Sequence, residues 1–190
     1  MGLAPAAVAV AFGLVVAVMV YAFGQISGAH LNPAVSSGLA VGRHVPWSKV
    51  AAYSTGQVLG ATTAALVLRV AFGAQANLGV TQPSGSDLQS FVCEAILTFF
   101  LVLVITAVAT DIRPVRQSAA LAIGGTVIVA ALVGGPISGA SMNPARSIGP
   151  AIVSGDLSHL WLYIVAPICG AVVGALVYGR LRNVQGERVG

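Results

Sequence analysis

The sequence predicts an all-α membrane protein in which five spanning helices surround two re-entrant half-helices, built as inverted repeats. Three observations carry that expectation. Hydrophobic residues make up 57% of the 190-residue chain and charged residues 7%, with a mean hydropathy of +0.92. Five apolar stretches are long enough to cross a bilayer. A polar box is written twice, as "SGAHLNPAVSSGLAV" at 27–41 and "SGASMNPARSIGPAI" at 138–152, with nine of fifteen positions identical at a constant offset of 111 residues.

Composition fixes the solvent. A soluble domain carries about 25% charged residues, and nine basic with five acidic side chains cannot coat a water-facing surface of this size. The solvent is therefore mostly lipid. The net charge of +4 then signals no nucleic-acid partner; the placement of the charges matters more than their sum.

The apolar stretches are 3–23, 50–72, 88–110, 118–133 and 160–179. A hydrocarbon core of about 30 Å needs about 20 helical residues, and shorter runs are tolerated. The fourth run is the short one, with room to extend to Gly135. The first lacks a positively charged start and is long for a signal peptide, so it too is expected to span. Small residues four apart, as in "GQVLG" (Gly56, Gly60) and "GAVVG" (Gly170, Gly174), predict faces where helix backbones approach closely in lipid. Cys93 and Cys169 lie inside apolar runs, with no His or carboxylate cluster at ligand spacing. They are expected to be packing thiols, and no metal or cofactor is expected.

Basic residues set the topology. Arg43 and Lys49 follow the first span, Arg113 and Arg116 follow the third, and Arg180, Arg182 and Arg188 follow the last. The connections near 73–87 and 154–159 hold Asp87 and Asp156 but neither Lys nor Arg. The positive-inside rule places the first group and the carboxyl terminus in the cytoplasm, and Met1 outside. Arg69 dissents and is expected to snorkel to the interface.

The first box thus lies on a cytoplasmic connection and the second on an external one. Inverted repeats are a recurrent construction in transport proteins, with the functional site near the midplane. About ten helix-compatible residues follow each Asn-Pro-Ala, a rise of roughly 15 Å, half the hydrocarbon thickness. Asn32 and Asn143 suit helix N-caps, and Pro33 and Pro144 suit the first helical position. Ala34 and Ala145 complete the tripeptides. With each Asn oxygen engaged by backbone amides, its NH₂ group is expected to be free to donate. Two such donors and two positive helix ends would meet at one point, orienting a water there and repelling cations. Arg146, three residues after Asn143, stands where the first copy has Val35; a cation at membrane depth is a functional candidate by default.

These paired boxes resemble those of the aquaporin family, the major intrinsic proteins, and the chain looks most like bacterial and plant nodulin-like members. The resemblance covers essentially the whole chain and implies an aquaporin-like right-handed bundle. It implies a passive channel for water and small neutral solutes (glycerol-like polyols, metalloid hydroxides), not an enzyme. It also implies a multi-pass protein of the plasma membrane, assembled as a homotetramer. By position within the boxes, the implied constriction is Phe12, Ala131, Ala140 and Arg146. Strict water channels commonly carry His at the place of Ala131, so a wider, drier ring is expected; Ser147 and Ala151 look more like the water type. Glu94, the one carboxylate inside a span, is implied to anchor the second box, and His30 is read as bracing the first.

One departure stands out: the family has six spans and five are read here. Subtracting 111 from 88–110 falls before Met1, so an incomplete amino terminus is expected. The chain is accordingly read as one channel domain, 1–190, with an incomplete first repeat (1–72), a connection (73–87) and a second repeat (88–180). Two rivals from other classes are an ion-coupled secondary transporter using Glu94 and an intramembrane serine hydrolase using Ser138, Ser141 and His30. A relay usually needs several ionisable groups, and the hydrolase lacks an evident orienting acid.

Overall fold

The structure, a computed structural model, describes residues 5–109 and 118–186. Among them the order is α1 (Pro5–Ser27), α2 (Pro33–Val41), α3 (Trp47–Phe72), a short 3-10 helix (Gln75–Gly79), α4 (Asp87–Ala109), α5 (Ala119–Ser138), α6 (Pro144–Ser154) and α7 (Leu160–Gly186). No strand occurs among the described residues. Five helices, α1, α3, α4, α5 and α7, are long and apolar enough to cross a membrane. The protein is a multi-pass integral membrane protein. Of the topological signals, Met1, Arg113, Arg116 and Arg188 lie outside the described residues.

The two remaining helices are short, with 9 residues in α2 and 11 in α6. Alternation of the spans leaves the ends of α1 and α5 on opposite faces, so α2 and α6 enter the bundle from opposite sides. The fourth span is longer than its apolar run. It passes through Gly134, Gly135 and Pro136 and stops at Ser138, where Gly139 adopts a left-handed cap (φ 81°). A proline inside a helix removes one backbone bond, and here the helix continues for two residues beyond it.

Packing follows the small residues. α4 lies along α7, α1 along α5 and α3 along α6, while α2 is wedged between α3 and α7. Gly13 on α1 faces Gly124 and Ile128 on α5 so closely that a Cβ added there would collide with them. Gly149 on α6 meets the backbone of Ala61 on α3 in the same way. In lipid such close backbone approach, rather than hydrophobic burial, drives helix association. The main apolar core joins Val35 and Leu39 of α2, Leu101 and Val102 of α4, and Ile123 and Val127 of α5. A second, smaller core consists of Ala65, Leu78 and Val153.

Candidate functional site

Each box forms its half-helix through the same local chemistry. Asn32 is extended (φ −157°), and its side-chain oxygen accepts from the Ala34 amide at 2.8 Å, with Pro33 in the first helical position. Asn143 is likewise extended (φ −148°) and accepts from the amides of Ala145 at 3.1 Å and Arg146 at 3.3 Å, ahead of Pro144. A cap of this kind contributes about 1 kcal/mol. Proline at the first position has no amide to leave unpaired.

The loops leading into the caps are left-handed at matching places. Gly28 and Gly139 have φ of 79° and 81°, Ala29 and Ala140 both 45°, and Leu31 and Met142 55° and 53°. Left-handed backbone in residues other than glycine costs about 1–3 kcal/mol each and persists only where the surroundings enforce it. For the second loop the enforcing group is Glu94. It is fully buried; one oxygen accepts from Ser138 Oγ at 2.7 Å and the Ser141 amide at 2.8 Å, the other from the Met142 amide at 2.6 Å. Tyr163 adds a bond from its hydroxyl to the Ser138 carbonyl at 2.7 Å. The first loop is braced differently. His30 Nδ1 lies 3.0 Å from Ser36 Oγ and its ring meets Tyr53 edge-on, while the Tyr53 hydroxyl donates to the Ser27 carbonyl at 2.9 Å.

The two half-helices meet tip to tip. Asn32 Nδ2 donates to the Met142 carbonyl at 2.7 Å, and Asn143 Nδ2 donates to the Leu31 carbonyl at 2.9 Å. The expectation of two free NH₂ groups is therefore corrected: each uses one hydrogen to hold the opposite loop, and one is left. A backbone carbonyl carries no side-chain signature, so residue types could not announce the exchange.

A cavity of about 890 Å³ runs past these tips and is lined by both asparagines together with Phe12, Ala131, Ala140 and Arg146. The structure thus brings the expected constriction residues to one wall system. The Arg146 guanidinium lies 5.4 Å from the centre of the Phe12 ring and donates to the Gly79 carbonyl at 2.5 Å. A cation over an aromatic face is attracted by the ring quadrupole. Gly79 belongs to the connection between α3 and α4, which the sequence left without a role. That connection is fastened again by Thr81 Oγ1, 2.7 Å from Ser147 Oγ, which lies 2.6 Å from Ser141 Oγ. At its outer surface Gln82 and Asn77 donate to Asp156 at 2.5 and 3.3 Å. The Ser158 hydroxyl and amide, then Gln82 and Asn77, hold the Asp156 carboxyl below its ordinary range. His159 Nδ1 lies 3.0 Å from Asp87 Oδ1, joining the starts of α7 and α4.

With this geometry established, kinship can be stated. The major intrinsic protein profile matches residues 3–178. The chain belongs to the major intrinsic protein family. Aquaporin NIP1-1 of Oryza sativa subsp. japonica is 53% identical over 92% of the chain, and nodulin-26 of Glycine max is 48% identical over 92%. The chain spans 62% and 65% of the lengths of those two relatives. The structure of the aquaglyceroporin from Plasmodium falciparum superposes with a TM-score of 0.84 at 26% identity, covering 96% of this chain and 85% of that one. Aquaporins are channels and not enzymes, which removes the hydrolase reading. Ser138 is bonded to Glu94, Ser141 to Ser147, and His30 to Ser36, so His30 is paired with neither of the two serines named for that reading.

Proposed function

We propose that this major intrinsic protein forms a passive channel for water and small uncharged solutes, polyols and metalloid hydroxides among them, and excludes protons and ions. The observation that carries the reading is the convergence of Asn32 and Asn143 on one cavity that also holds Arg146 and Phe12. Each half-helix presents an N-terminus worth about half a positive charge to the same point. The remaining N–H of each asparagine donates to the oxygen of a passing molecule, which turns neighbouring waters in opposite senses and interrupts proton relay. Ala131 and Ala140 in the constriction leave room for a solute larger than water, and Arg146 supplies the donor that orients its hydroxyls.

The proposal extends to a homotetramer in the plasma membrane, the arrangement that family resemblance implies. Arg43, Lys49, Arg180 and Arg182 share one end of the bundle, which we take as cytoplasmic together with the carboxyl terminus. A coupled transporter using Glu94 is disfavoured, because that carboxylate accepts three protein donors and lies off the cavity wall.

Light scattering of reconstituted vesicles tests the reading. Vesicles bearing the protein are expected to swell faster than empty ones under water and glycerol gradients, without uphill accumulation. Arg146→Val is expected to raise proton or cation leak while keeping water flux. Permeabilities equal to those of protein-free vesicles would remove the channel reading.

A further inference from the structure

We infer that Arg69, on the far side of α6 from the cavity, is a positioning residue for the constriction: it fixes the outer end of α6 and thereby where Arg146 stands. The inference rests on the channel reading above.

α6 is too short to be placed by matching a bilayer's thickness, so ties along its length must place it. At its inner end are the Asn143 cap and the bond from Arg146 to Gly79. In the middle Gly149 is pressed against the Ala61 backbone, with Ala61 carbons and oxygen 2.5–2.8 Å from where a Cβ would stand. At its outer end the last carbonyls of a helix lack intrahelical partners. Gly155 turns back to satisfy Ala151, and Arg69 Nη1 donates to Val153 at 2.5 Å. Arg69 lies in the last turn of α3, in a chain whose other basic residue on that side of the midplane, among those described, is Arg146. A guanidinium at a helix C-terminus also complements the negative end of its dipole. Ala65, Leu78 and Val153 pack beside it.

The Gly149–Ala61 contact makes α6 a lever. Arg146 stands three residues inward of it and Val153 four residues outward, arms of about 4.5 and 6 Å. A swing of the outer end reaches Arg146 in the reverse sense, damped at Pro150, which stands beside the pivot and removes the helix bond to the Arg146 carbonyl. Arg69 on α3 holds the outer end, and Gly79, at the end of the 3-10 helix that follows α3, holds Arg146. This accounts for a cation that contradicts the charge pattern of its side of the bundle.

The test is the ratio of glycerol to water permeability in vesicles carrying the full chain, with both fluxes normalised to reconstituted protein. Arg69→Met is expected to raise the ratio by about threefold or more, because a freed Arg146 widens the constriction. Arg69→Lys, which keeps a donor and the charge, is expected to bring it back toward the unaltered value. Leu78→Ala, which keeps both arginines and empties the packing beside Val153, shifts the ratio the same way and serves if Arg69→Met does not insert. A role confined to folding would lower both fluxes in proportion and leave the ratio fixed. Unaltered protein that conducts, with one ratio across all three variants, overturns the inference alone; unaltered protein that conducts neither solute overturns the channel reading.

Discussion

At Gly170 and Gly174, α7 lies so close to α4 that an added Cβ would run into the backbone of Ala95 and Phe99; at Gly56 and Gly60, the same addition on α3 would meet nothing within 4 Å. The two boxes differ in the same sense. The amides of Ser141 and Met142 end on Glu94. Those of His30 and Leu31, their counterparts by the 111-residue offset, have no acceptor among the described residues. Yet both loops adopt the same left-handed path. Both loops are held from the front by the opposite asparagine; among the described residues the second has Glu94 behind it and the first has the His30–Tyr53 contact beside it. A small-residue pair or a strained loop specifies what can pack there; the neighbouring helix decides what does.

The largest test of that contrast is Glu94→Leu. It leaves the Ser141 and Met142 amides buried without an acceptor, at about 1–3 kcal/mol each, and the Ser138 hydroxyl only its long bond to the Gly134 carbonyl, so the unfolding midpoint in detergent should fall steeply or folded protein should vanish. An unchanged midpoint would mean that the carboxylate does not hold the second loop. Next comes the glycine pair. Gly170→Leu forces α4 and α7 apart and should destabilise by about 1–3 kcal/mol, whereas Gly56→Leu should stay within about 0.5 kcal/mol. Equal losses at both positions would show that α3 has a packed neighbour in solution.

The smallest effect is electrostatic. Asp156, whose pKa is depressed in the fold, contributes stability that is fully present above its unfolded value of about 3.9 and is lost as pH falls through the folded value. Ser158→Ala removes the leading cause of that depression and should move the acid limb of the thermal midpoint upward. The turn after α2, Gly42 to Pro46, holds no carboxylate, so Ser48→Ala near it should leave the limb in place.

The spans were legible because the bilayer sets their length, and the half-helices because Asn, Pro and Ala carry helix-start chemistry. Glu94 was legible as an isolated carboxylate in an apolar run. Phe12 and Ala131 were legible only through family resemblance, since nothing in their local pattern separates them from lipid-facing neighbours. Three parts were hidden. The partners of Arg146 and of both asparagine amides are carbonyls, which every residue has. The tie from the Tyr163 hydroxyl to the second box was hidden because its acceptor, too, is a carbonyl, that of Ser138. Arg69 looked like a topological exception because its acceptor lies 84 residues away.

The crossed asparagine bonds have a consequence for how the molecule is made. Each box completes its hydrogen bonding only with a loop synthesised more than a hundred residues earlier or later. A nascent chain stopped after α5 would therefore hold an unfinished entry loop, and the conduit would close only when its second half arrives to clasp the first.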